Sequence, residues 1–173
     1  MTTKEKYDLT TETMEFNPDF QTNYDLIICE IEKDEHGFDS TTLLNITDGK
    51  NRQIKIRVDW CNASTTARKI SVILIAETNK LFFAARFFWG IVDLVSVKID
   101  RQESCVDFWS FERYSNTIVL TTELFAKALS LKGETTDEVP IDPPYECEEF
   151  DDRIEFNCPI HGHQVLKLKN DNY

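Results

Sequence analysis

The sequence predicts an α+β protein that is predominantly antiparallel β, built as a curved sheet, a sandwich or a barrel around an aromatic core. Two observations predict the strands: short segments alternate apolar with polar residues, and turn residues separate these segments. A third predicts a helix, because one segment has an apolar helical face with start and stop signals. At 173 residues the chain has the length of a single domain, 1–173.

The most apolar stretch of the chain, 70–99, is expected to supply the core. Ile70 to Ala76 is a β-branched run typical of a central strand. Residues 79–92 fit a second helix by the spacing of their polar positions, although their aromatic residues suit strands as well. Residues 95–99 alternate as a half-buried strand. A span of a bilayer needs roughly 20 apolar residues, and Arg86 interrupts this run, so no membrane contact is predicted.

The N-terminal part begins with residues 1–23, predicted to be a loosely held arm because no apolar stripe is present. Asp25 to Lys33 alternates as a strand and is followed by an acidic turn at 34–37. The best hairpin signal is 44–58, in which Asp48-Gly49 is expected to form a tight primed turn.

The firm helix is predicted at 121–132, after two short strands around 106–111 and 118–120. Thr121 can cap its start, Lys132 falls in its last turn and Gly133 would stop it. Its apolar face is formed by Leu124, Phe125, Ala128, Leu129 and Leu131.

The C-terminal part is acidic and contains prolines. Residues 134–152 are predicted to be an extended linker, because Pro140, Pro143 and Pro144 favour extended backbone. Residues 153–169 are predicted to form a hairpin with its turn at 159–162.

The composition of the chain indicates its cellular compartment and the kind of partner that it binds. Without an export signal the expected location is cytoplasmic, and five scattered cysteines fit a reducing compartment. The net charge of −12 divides into −8 for residues 1–40, +4 for 41–133 and −8 for 134–173. Direct nucleic-acid binding is not expected, because phosphate recognition needs a concentrated basic surface. A basic protein partner is expected instead.

An acidic cluster at 146–152 is the predicted partner-binding surface. It lacks the glycine-bearing spacing of a calcium loop, and the sequence cannot place two of its carboxylates across a cleft for acid/base catalysis. A solvated loop that keeps the protein soluble is the alternative interpretation. The cluster consists of Glu146, Glu148, Glu149, Asp151 and Asp152.

A second candidate site is the turn Cys158-Pro159-Ile160-His161-Gly162, which has the ligand spacing of half a zinc knuckle. Cys147 or His163 would complete a zinc site with Cys158 and His161. An ordinary hairpin turn is the alternative. No other cofactor is predicted.

No nucleophile elbow, phosphate-binding loop or dinucleotide motif occurs, so the chain is not expected to be an enzyme. The leading hypothesis is a small acidic cytoplasmic inhibitor, of the immunity-protein or phage-inhibitor type, that engages a basic partner such as a nuclease. The alternatives are a zinc-stabilised regulatory module and a β-barrel that holds a small apolar ligand among its aromatic residues.

Overall fold

Fifteen strands and no helix make up the described part of the chain in the computed structural model, which describes residues 7–19, 23–30, 37–61 and 69–168. The strands are β1 (Tyr7–Glu15), β2 (Leu26–Cys29), β3 (Ser40–Asp48), β4 (Gln53–Trp60), β5 (Ser71–Ile75), β6 (Lys80–Ala84), β7 (Phe88–Asp93), β8 (Lys98–Ser104), β9 (Phe108–Tyr114), β10 (Thr117–Thr122), β11 (Phe125–Ser130), β12 (Thr135–Pro140), β13 (Glu146–Glu149), β14 (Arg153–Cys158) and β15 (Gly162–Lys167). No helix long and apolar enough to cross a membrane occurs among these residues.

The prediction of an α+β fold was wrong, because the described residues form four small separate sheets. Every strand pair in these sheets is antiparallel except β2 with β4, which is parallel. The predicted antiparallel β character is therefore confirmed, while the helices and the single curved sheet, sandwich or barrel are not found.

The predicted helix 121–132 is instead the end of β10, a turn and β11. Strands β10 and β11 pair from Thr117↔Ser130 to Thr121↔Ala126. The residue after the predicted cap Thr121 closes the turn instead: Thr122 Oγ1 accepts hydrogen bonds from the backbone N–H groups of Leu124 (3.3 Å) and Phe125 (3.1 Å). The stop signal also serves a turn, in which Gly133 has φ 94°. Pairing on both sides of β11 overrides helix propensity.

The second predicted helix, 79–92, is the hairpin of β6 and β7. All residues of β7 except Asp93 are buried, as are Leu81 to Ala84 of β6. A strand that is buried on both faces shows no alternation, so its sequence resembles an apolar helix face. The predicted strand at 95–99 is also displaced, since residues 94–97 form a turn and β8 begins at Lys98.

The hairpin predicted at 44–58 is confirmed by the pairing of β3 with β4, but its turn differs from the prediction. The left-handed position is Asn51 (φ 64°), and four residues connect the strands. Asp48 Oδ1 accepts hydrogen bonds from the N–H groups of Lys50 (2.8 Å) and Arg52 (2.9 Å). This carboxylate stabilises a longer turn than the Asp-Gly pair alone indicates.

The chain divides into two compact units, Met1–Ser104 and Cys105–Tyr173. The first unit contains the sheets β1-β3-β4-β2 and β5-β6-β7-β8. Side chains from both sheets share one core, in which Trp60, Phe83 and Phe88 are fully buried. Strand β1, which lies within the predicted loose arm 1–23, pairs with β3 over nine residues because Tyr7 and Leu9 pack against this core. Residues 1–6 and 20–22 of the arm, and residues 34–36 of the turn predicted at 34–37, lie outside the described residues.

The second unit contains the sheets β12-β11-β10-β9 and β13-β14-β15. Its core joins Val119, Ala126 and Ala128 of one sheet to Ile154 and Phe156 of the other. Segment 134–152, predicted to be an extended linker, carries strands β12 and β13. Val139 is the buried residue of β12 and belongs to this core. Residues 153–167 form the β14–β15 hairpin.

Candidate protein-binding surface

The predicted acidic cluster lies on an open edge of the second unit. Among the described residues, strand β13 has β14 as its single neighbour in the sheet, and its four residues are all exposed. Asp151 and Asp152 are exposed in the bend that follows it. The five predicted carboxylates therefore lie on one edge strand and the bend that follows it.

The cluster is divided between the two faces of its sheet. Glu148 pairs directly with Glu155, whereas Glu149 pairs with the buried Ile154. Because paired residues of antiparallel strands point to the same face, Glu148 and Glu149 point to opposite faces. The predicted surface is therefore not one continuous acidic face.

Arg153 neutralises part of the cluster. Its Nη1 lies 2.9 Å from Asp152 Oδ1, and its Nε lies 2.6 Å from Glu155 Oε1. Its guanidinium also stacks over the ring of Phe150, 4.1 Å from the ring centroid. Asp152 therefore already forms an ion pair with a basic residue of its own chain.

An exposed aromatic pair lies beside the acidic strand and was not predicted as part of the site. The Trp109 ring is stacked on the Tyr145 ring, with centroids 5.6 Å apart and planes 25° apart, although 42% of Trp109 is exposed. Tyr145 meets the buried Phe156 edge to face at 5.3 Å. Burial raises the pKa of Tyr145 to about 12, so this phenol is neutral at physiological pH.

Two carboxylates converge on one phenol at the other end of β9. The Tyr114 hydroxyl donates a hydrogen bond of 2.9 Å to Glu112 Oε2. Burial first, then Glu112 and Glu149, raise the pKa of Tyr114 far above its usual value of 10. One hydroxyl has one proton, so it cannot donate to both carboxylates at once. Within the described part of the chain, neither Glu112 nor Glu149 forms an ion pair with a base.

A recess with a volume of about 350 Å³ lies beside Tyr114. It is lined by Tyr114, Ser115, Glu149, Phe150 and Asp151. Aromatic rings and carboxylates together favour a guanidinium or ammonium group. This recess was not predicted, because β9 and β13 are separated by more than thirty residues.

The four predicted zinc ligands are placed in different environments. Cys158 is buried at the end of β14, whereas Cys147 on β13 is exposed. His161 lies in the turn, and His163 Nδ1 lies 3.1 Å from Asn157 Oδ1. In residues 7–19, 23–30, 37–61 and 69–168, no three His, Cys, Asp or Glu residues are placed so that they could hold a metal ion.

The turn that carries the predicted zinc motif is held by a carboxylate. Asp142, which is buried, accepts hydrogen bonds of 3.0 Å from the backbone N–H groups of Ile160 and His161. Gly162 adopts φ 67°, a backbone conformation that is unfavourable for residues with a side chain. Turn geometry therefore accounts for the glycine of the motif.

No protein-family model matches the chain, and no curated protein matches it in sequence. Solved structures to which it is similar include Hsv2 of Kluyveromyces marxianus, with TM-score 0.40 and 12% identity over 79% of this chain and 47% of that one. Kluyveromyces lactis Hsv2 has TM-score 0.41 and 14% identity over 75% of this chain and 40% of that one. The chain thus covers less than half the length of either protein, and similarity at this level assigns neither fold nor function.

Proposed function

We propose that this protein is a non-catalytic, cytoplasmic binding protein that engages a basic protein partner through the acidic edge of its second unit. The observation that carries the proposal is the pair Glu112 and Glu149, which approach one phenol beside an aromatic recess without a base among the described residues. An incoming lysine or arginine would relieve the repulsion between these carboxylates.

The exposed aromatic pair supplies the apolar part of the proposed interface. Exposed charges mainly accelerate association, whereas buried aromatic residues contribute most of the affinity. Trp109 is rigid because it is stacked on Tyr145, so covering it costs little side-chain entropy. The surface therefore combines carboxylates for steering with an aromatic anchor.

Inhibition is the proposed consequence of binding. A nucleic-acid-handling protein binds phosphates through clustered lysines and arginines. A carboxylate-rich strand can pair with the same cations and exclude the nucleic acid from them. A nuclease is thus a suitable class of partner.

The experiment begins with native mass spectrometry of the protein isolated gently from its host, which identifies the bound partner. Affinity for that partner is then measured over a range of salt concentrations. The variant Glu146→Gln, Glu148→Gln, Glu149→Gln, Asp151→Asn should lose roughly tenfold or more in affinity and show a weaker salt dependence. Asp152 is left unchanged because it pairs with Arg153.

The matched control neutralises four exposed acids of the first unit: Asp8, Glu12, Glu15 and Asp19. It should keep most of the affinity. An equal loss in both variants would show that net charge, and not this surface, drives binding. Isolation of the bare chain alone would also count against the proposal.

A further inference from the structure

The first unit contains a separate polar cavity where turns from its two sheets meet. It has a volume of about 420 Å³, within the usual range for small-molecule sites. Tyr7, the β3–β4 turn, Asn79 and the β7–β8 turn form its walls. We infer that this cavity binds a small organic anion, with a carboxylate or phosphate at Lys50 and Arg52 and an apolar part against Leu94 and Val95.

The cationic end of the cavity contrasts with the chain as a whole, whose net charge is −12. Of the described residues that line the cavity with Lys50 and Arg52, Asp48 is the one carboxylate. Asp48 is occupied within the turn, where hydrogen bonds from the backbone N–H groups of Arg52 and Lys50 keep its pKa below the usual value. The lining therefore has a formal charge of +1.

One guanidinium nitrogen of Arg52 holds the side chain in place, and the other two remain available as hydrogen-bond donors. Its Nη1 donates to the backbone carbonyls of Leu94 (3.4 Å) and Val95 (3.2 Å). In the described residues its Nε and Nη2 make no hydrogen bond, and Lys50 forms no ion pair. A guanidinium held by one nitrogen is preorganised to bind an anion with the others.

Hydrogen bonds also hold the other walls of the cavity in place. The Tyr7 hydroxyl donates a hydrogen bond of 2.7 Å to Asn79 Oδ1, which joins β1 to the β5–β6 turn. The N–H of Leu94 donates to the Asn79 carbonyl at 2.9 Å. Leu94 is buried, whereas 62% of Val95 is exposed. Val95 thus offers an apolar surface beside the cations, which suits an organic anion better than an inorganic ion.

The test is a titration of the full chain with benzoate and with phenyl phosphate, followed by the backbone amide NMR signals of Gly49, Asn79 and Val95. We expect saturable shifts at these positions that weaken as salt concentration rises. Inorganic phosphate is the third probe and should bind more weakly than phenyl phosphate. Absence of saturable shifts with both organic anions would overturn the inference.

Lys50→Gln is the decisive variant, because the Lys50 side chain is exposed and makes no hydrogen bond or ion pair with the described residues. Affinity should fall about tenfold, the loss of one charged hydrogen bond. Lys69→Gln, an exposed lysine outside the cavity, should leave affinity unchanged. Equal losses in the two variants would indicate nonspecific attraction and reject the site. Neither variant alters the acidic edge, so this result is independent of the function proposed above.

Discussion

Asp142 Oδ1 accepts a hydrogen bond of 3.0 Å from the backbone N–H of His161, nineteen residues further along the chain. Its other carboxylate oxygen accepts one from the N–H of Ile160. A buried carboxylate with two backbone donors is a charge-assisted cap for the β14–β15 turn.

Asp142→Ala should therefore destabilise the second unit by about 2–4 kcal/mol, because both N–H groups lose a charged acceptor. Asp142→Asn should cost less, since the amide retains one oxygen acceptor. Hydrogen exchange measured by mass spectrometry over residues 153–167 will report the loss of protection. Glu134→Ala, at an exposed position, is the control and should have little effect.

The same measurement tests the zinc hypothesis when it is repeated in a chelator. A turn held by Asp142 keeps its protection, whereas a turn held by zinc loses it. Protection lost in chelator, together with a small effect of Asp142→Ala, would favour the metal site.

Gly90 is predicted to be intolerant of any side chain. A Cβ at this position would lie 2.5 Å from Phe83 Cζ and 2.6 Å from the backbone oxygen of Arg101. Since that oxygen belongs to the neighbouring strand β8, the sheet itself would have to move. Gly90→Ala should lower the free energy of unfolding by about 3 kcal/mol.

Gly162→Ala is the matched comparison for that change. Its φ of 67° disfavours alanine, but apart from the two chain neighbours no atom of the described residues lies within 4 Å of the added Cβ. We expect a smaller cost of about 1 kcal/mol, measured by urea unfolding. A cost at Gly162 equal to or above that at Gly90 would contradict the steric argument.

Asp93 should make the first unit sensitive to acid. Its carboxylate accepts hydrogen bonds from Lys80 Nζ (2.8 Å) and from the N–H and hydroxyl of Ser96. These bonds, led by that from Lys80, hold the pKa of Asp93 well below its usual value of 3.8. A lowered folded-state pKa gives stability that is complete above about pH 4 and is lost as the pH falls through the folded value.

The free-energy difference between the wild type and Asp93→Asn should thus be largest near neutral pH and shrink in acid. Urea unfolding at several pH values measures it. In a Lys80→Met background, which lacks the main cause of the shift, the pH-dependent difference should be smaller. A difference that is independent of pH would refute this role of Asp93.

Much of the strand content could be predicted, because half-buried strands show their alternation in the sequence. The pairing of Ile46 with Ile54 follows from the alternating flanks of one short turn. The helix at 121–132 could not be rejected in the same way. Ala126 and Ala128 pack on another sheet, and that burial depends on residues distant in sequence.

The candidate site, too, could be predicted only in part. The five acidic residues were evident as a local run in the sequence. Their aromatic partners were not, because Trp109 meets Tyr145 and Tyr114 approaches Glu149 only after two sheets have formed. Charge composition indicates that a surface is acidic, but which neutral residues complete it depends on tertiary packing.

The exposed edge of β13 also bears on how copies of this chain behave at high concentration. An edge strand is a template for pairing with another strand, and charged side chains are a common protection against that association. Two β13 strands brought side by side would oppose carboxylate to carboxylate, so copies repel each other at neutral pH. High salt screens this repulsion, which makes β13 the first place to look for the start of salt-induced aggregation.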